Sequence, residues 1–220
     1  DHSLRTLENA LDCSRDSTVE HFIYFSSSMV YGNFQTTEVD EDHALSPIGI
    51  YGALKAAGEK IVIAYQQVFT LPYTIIRPSA LYGPRCVSRR VVQIFIENAL
   101  RDNVLGVEGD GSQKLDFTYI DDLIEGVKLV IQHPEARNEI FNLTYGQGRS
   151  VQELLNLVLK EFPEAKVEHI PRDTLVPTRG TLSIEKARAR LGYVPSVSID
   201  KGVSHYIEWY RDLNSSTAIP

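Results

Sequence analysis

The sequence predicts an α/β fold: a mainly parallel sheet covered by helices on both faces, with a smaller lobe appended. Three observations predict it. Strand-like and helix-like segments alternate along most of the 220 residues, the order that builds parallel sheets. The strands HFIYFS (21–26) and YTIIRP (73–78) flank one long helix. From about Val87 the pattern loosens into short strands and small helices, which reads as the lobe.

The elements follow in order. Leu4, Leu7, Ala10 and Leu11 share one face of an amphipathic helix ending near Cys13. FIYF reads as a buried strand, closed by three serines and a polar loop with Asp40, Glu41 and Asp42. A helix from about Ile50 to Phe69 repeats Leu54, Ile61, Ala64, Tyr65 and Val68 at helical spacing. After the strand begun by Pro72 come a loop with Gly83 and Pro84, the helix VVQIFIENAL (91–100), a short VLGV segment, and EGDGSQ (108–113), read as a tight reversal. FTYI (117–120) precedes a helix from Asp121 to Gln132, with Asp121 and Asp122 as N-cap and first-turn acids. The strand EIFNLT, the helix VQELLNLVLKEF, the strand KVEHI, the segment IEKARARLGY and a helix from about Asp200 to Leu213 complete the chain.

Composition narrows the function. The chain is 43% hydrophobic and 23% charged, which suits a globular interior, and its net charge of -7 offers no basic footprint for nucleic acid. No apolar run approaches a membrane span. Two cysteines without a CxxC or nearby histidines argue against zinc and disulfides, and fit a reducing cytoplasm. The scattered histidines and the loop acids match no metal-site spacing. The chain opens without Met, inside a helix, so a missing beginning is expected.

Tyr51 and Lys55 lie four apart at the start of the long helix and so share a face. Such a pair is, by itself, most often a surface contact. Here it follows the strand end FSSSMVYG (25–32), and open α/β sheets bind ligands outside the carboxyl ends of their strands. A cation one turn away favours the phenolate, which takes a proton from an alcohol or returns one to a carbonyl. A serine hydroxyl beside it would hold the substrate oxygen. Hydride must then leave the adjacent carbon, which implies a nicotinamide cofactor.

FSSSMVYG, SPIGIYGALKAAGE, YTIIRPSALYGPR, GDGSQKLDFTYIDDL and ARLGYVP together resemble the landmarks, in order, of the extended short-chain dehydrogenase/reductases, the NAD-dependent sugar epimerase/dehydratase family. The resemblance covers almost the whole chain. It implies a Rossmann-type doubly wound sheet whose N-terminal part is missing. Residues 1–86 would be the rest of the cofactor domain, and residues 87–220 mainly a substrate lobe, with about 115–145 returning to the core. By resemblance Tyr51 is the catalytic acid/base, Lys55 also binds the cofactor ribose, and Ser27 is the catalytic hydroxyl. Ser26 and Pro78 would meet the cofactor; Ser28, Met29, Ser79 and Ala80 would meet substrate.

The chain also departs from the family. It lacks the Gly-rich turn that seats the pyrophosphate and the residue that reads the ribose 2′ position, so NAD is the expected cofactor by family habit, with NADP left open. Ser28 and Met29 stand where 4,6-dehydratases carry an Asp–Glu pair, which disfavours dehydration; the decarboxylases' Glu is also missing. Ala80 replaces a common Asn, and Leu115 a common phosphate-binding Arg. Lys114, Arg85, Arg89 or Arg179 would substitute, or be solvated surface charges. The substrate expected is a nucleotide sugar held differently, or a smaller hydroxylated compound. The activity expected is epimerisation through a keto intermediate, with one-way dehydrogenation and a non-catalytic binding protein as rivals. The first helix and the 50–69 helix are expected to join two copies in a homodimer.

Overall fold

The computed structural model describes residues 2–217. Helix α1 (His2–Arg15) leads to strand β1 (Phe22–Phe25) and the short β2 (Glu38–Val39), and helix α2 (Gly49–Phe69) to β3 (Tyr73–Arg77) and β4 (Leu81–Tyr82). Helix α3 (Val91–Leu100), strands β5 (Leu105–Glu108), β6 (Lys114–Asp116) and β7 (Thr118–Tyr119), and helix α4 (Ile120–Gln132) follow. The remainder holds β8 (Glu139–Asn142), β9 (Gly148–Ser150), α5 (Val151–Glu161), β10 (Val167–Ile170), β11 (Thr181–Leu182), α6 (Glu185–Leu191) and α7 (Ile199–Thr217).

Strands β1, β3 and β8 form a parallel sheet in that order, with Phe22 opposite Tyr73 and Thr74 opposite Glu139. Successive side chains of a strand point to opposite faces. Thus Tyr73 and Ile75 pack with Leu7, Leu11 and Val62 of α1 and α2, while Ile76 packs with Phe141, Leu123, Val130 and Leu191 beneath α4 and α6. Both faces are covered, as the alternating pattern predicts. A second core lies between α3, α5 and α7, where Phe95, Ile96, Leu105, Leu154, Val158, Tyr206 and Ile207 meet.

One local expectation holds and two need correction. EGDGSQ does turn, with Gly109 and Gly111 at positive φ, but β5 and β6 do not pair across it. Instead β5 takes β10 and β6 takes β9, because each finds its partner from a distant segment. The N-cap of α4 is Tyr119, not an aspartate; Asp122 is buried and accepts from the backbone N–H groups of Ser196 and Val197 at 2.8 and 3.0 Å. The last helix continues past Leu213 to Thr217.

Candidate active site

The serine turn is built at the carboxyl ends of β1 and β3. Ser26 N–H donates to Ile76 O at 2.8 Å and Ser28 N–H to Pro78 O at 2.9 Å, which carries the sheet pairing three residues beyond β1. Ser27, in extended conformation, caps a single 3-10 turn over Ser28–Tyr31, its Oγ accepting from Met29 N–H at 3.2 Å. That leaves the Ser27 hydroxyl proton available to another partner. Gly32 ends the turn at φ 69°, and a Cβ there would stand 1.8 Å from Ser46 O, so only glycine fits.

Helix α2 brings the second half. Its N-cap, Ile48, offers no side-chain bond, and Tyr51 sits in the first turn, 49% exposed. Gly52 faces the serine turn so closely that a Cβ would come 2.7 Å from Met29 O. Lys55 donates to Phe25 O at 2.6 Å, and its Nζ lies 5.9 Å from the centre of the Tyr51 ring and 5.2 Å from that of Tyr24. Burial lowers the pKa of Lys55.

A cavity of about 590 Å³ opens over this constellation, lined by Ser26, Ser27, Ser28, Met29 and Tyr51 on one side and by Pro78, Ser79, Ala80 and Arg85 on the other. The Ser79 hydroxyl is buried there without a hydrogen-bond partner among the described residues, an arrangement that usually awaits a ligand or water. A second cavity, about 550 Å³, lies between α3 and β5–β6 and is lined by Phe95, Asn98, Gly106, Gln113 and Leu115. The two cavities share three residues: Ala80, Arg90 and Arg179. Arg179 Nε is buried and has no hydrogen-bond partner among the described residues, and burial with the charge of Arg90 pulls its pKa down to about 10. Two cations at this waist thus face each other where a ligand's anion would be stabilised.

Lys114 lines neither of these cavities but a smaller depression with Glu38 and Thr178, which Arg179 also borders. Arg89 reaches only the second cavity. Ser26 lines the first cavity, but its hydroxyl donates to Glu59 Oε1 at 2.5 Å. Glu59, Arg77 and Arg90 are residues that the pattern of the sequence does not single out. The signals were slight: Glu59 continues the four-residue spacing of Tyr51 and Lys55, and Arg77 is a lone charge in an apolar strand.

Residues 1–144 match the NAD dependent epimerase/dehydratase family, and the chain belongs to it. Its fold is the Rossmann type of that family's enzymes. Over 214 residues the chain is 31% identical to the Bacillus subtilis protein named uncharacterized UDP-glucose epimerase YtcB, covering 96% of this chain and 67% of that one. It is 29% identical to the mouse dTDP-D-glucose 4,6-dehydratase, covering 91% and 58%. Among solved structures it superposes on the UDP-glucuronic acid 4-epimerase of Bacillus cereus in complex with UDP-glucuronic acid and NAD, with a TM-score of 0.91, 28% identity, and coverage of 96% and 68%. The chain therefore spans about two thirds or less of the length of these relatives.

Proposed function

We propose that this chain carries the catalytic residues and the substrate lobe of an NAD-dependent nucleotide-sugar epimerase that works by transient oxidation to a keto-sugar. One observation carries the reading. A single cavity has Ser27 and Tyr51 at one end, with Lys55 one turn beyond Tyr51 on the same helix, and the Arg90–Arg179 waist at the other, beyond which a second cavity continues. That is room for a sugar, a diphosphate and a nucleoside in a row. Residues 1–86 form the cofactor side and 87–220 mainly the substrate side, with α4, β8 and α6 packed back on the main sheet.

Tyr51 and Lys55, with Pro78 beside them, fit the nicotinamide–ribose end of the cofactor: the orphaned Ser79 hydroxyl and the ammonium of Lys55 give polar partners there, while the Ser26 hydroxyl is already committed to Glu59. Bound NAD supplies the hydride acceptor and donor. The Tyr51 phenolate takes the proton from the sugar hydroxyl and later returns it, and the free Ser27 proton holds that oxygen in line. Lys55, fixed by Phe25 O, keeps positive charge beside the phenol. Met29 cannot move a proton, so the water loss of the dehydratases is not supported here.

The test is incubation of the full-length protein and NAD with UDP-glucose, UDP-glucuronic acid and dTDP-glucose, read by proton NMR and mass spectrometry. A sugar inverted at one carbon with unchanged mass is expected. A product lighter by one water, or net NADH, contradicts the reading.

A further inference from the structure

We propose that Glu59 is a positioning residue of the active site: locked by Arg77, its carboxylate holds Ser26 and so fixes the serine turn against the helix that carries Tyr51. The proposal rests on reading Ser27, Tyr51 and Lys55 as the reacting groups.

Tyr51, Lys55 and Glu59 fall at i, i+4 and i+8, one face of α2. That face grips the end of β1 at consecutive residues, Lys55 on Phe25 O and Glu59 on the Ser26 hydroxyl. Glu59 and Arg77 are 1% and 2% exposed and pair side by side, Nε to Oε1 at 2.9 Å and Nη2 to Oε2 at 2.7 Å. The free arm of Arg77 continues, Nη1 donating to the Tyr31 hydroxyl at 2.9 Å and to Glu41 O at 3.0 Å. Tyr31 in turn donates to Asn142 Oδ1 at 2.8 Å, on the next strand but one from β1.

One ion pair therefore anchors both ends of the turn, Ser26 before it and Tyr31 at its close. Of the four residues between them, Ser27, Ser28 and Met29 line the cavity. A buried ion pair contributes little net stability, since desolvation offsets most of the attraction. What this one contributes is a fixed geometry between groups from α2, β1 and β3. A misplacement of about 1 Å in such a constellation costs on the order of a hundredfold in rate.

The experiment uses the full-length protein with NAD and its nucleotide sugar. Ser26→Ala keeps the ion pair and removes one bond. It is expected to lower kcat about tenfold while KM for sugar and cofactor stays within about twofold. Ser26→Thr, which keeps the hydroxyl, is expected to restore at least about half the rate. Glu59→Gln is expected to lose more, and the double variant to lose no more than Glu59→Gln alone, because both break one link. Should Glu59→Gln fail to fold, the Ser26 pair decides. Full kcat in Ser26→Ala, a rise in cofactor KM in place of the kcat loss, or multiplicative losses in the double variant overturn the proposal. Tyr51→Phe, run in parallel, separates the two levels. Activity there overturns the site reading and this proposal together, whereas an inactive Tyr51→Phe beside an unaffected Ser26→Ala overturns this proposal alone.

Discussion

At position 51 a phenol stands at the mouth of a cavity with an ammonium one turn along the same helix. Tyr51→Phe deletes the one oxygen proposed to move the proton and nothing else. Turnover is expected to fall below about a hundredth, a typical loss for a general acid/base, with calorimetric affinity for the nucleotide sugar changed by less than about twofold. A variant keeping a tenth of the rate contradicts the role. Arg179 gives a contrasting outcome. Arg179→Ala is expected to raise KM for the nucleotide sugar by roughly tenfold or more, the cost of a lost charge-assisted bond, while Lys114→Ala, which lines neither of the two larger cavities, leaves KM unchanged. The reverse pattern would move the anion site. Tyr51, Lys55 and Ser27 were legible because their relation is local: a four-residue helical spacing and a strand end. Glu59 and Arg90 were not. Ser26 and Glu59 are 33 residues apart and Arg90 and Arg179 farther still, so only the folded juxtaposition shows which charge meets which group.

At the level of elements, loops and turns hold the strain. Gly32→Ala would drive a Cβ into Ser46 O and force a left-handed residue, so a loss of about 3 kcal/mol in unfolding free energy is expected by denaturant titration. An unchanged midpoint contradicts the close approach. Asp116, wholly buried, ties β6 to the chain beyond β8 and to β11, accepting from Thr144, Gly146 and Leu182. Burial pushes its carboxyl up to about 6. Its folded value lies above its unfolded one, so the proton favours the native state: this contribution is full below about pH 4 and lost as pH rises through about 6. Melting curves of wild type and Asp116→Asn across that range are the check, the stability difference between them shifting against wild type as pH rises and then levelling; a constant difference contradicts the shift. The long helices could be read from periodicity, α3 to the residue, and β3 is buried throughout; β1, read as a buried strand, is only half-buried, with Phe25 43% exposed, because it lies at the edge of the sheet among the described residues. The two-residue strands β2, β4, β7 and β11 could not, because they exist only by pairing with distant partners. Asn142, within a glycosylation-like triplet, proves fully buried.

For the whole molecule, we propose a homodimer through α1 and α2. Gly52 and Gly58 do not serve that seam: they face Met29 O and the Tyr24 ring of their own chain. What remains outward is Ala53, Ala64 and Val68, the last 69% exposed. Light scattering is expected to give twice the chain mass, and Ala64→Glu or Val68→Glu to give monomer; an undisturbed dimer removes this interface. On the proposed reading, hydride leaves a sugar carbon and returns to it. UDP-glucose or UDP-glucuronic acid deuterated at C4 and turned over by the full-length protein in ordinary water tests this most directly. If the account holds, both epimers keep the deuterium at C4 and turnover is slower than with the protiated sugar. Deuterium washed out to solvent would mean that the carbon loses a proton, not a hydride, and would contradict it.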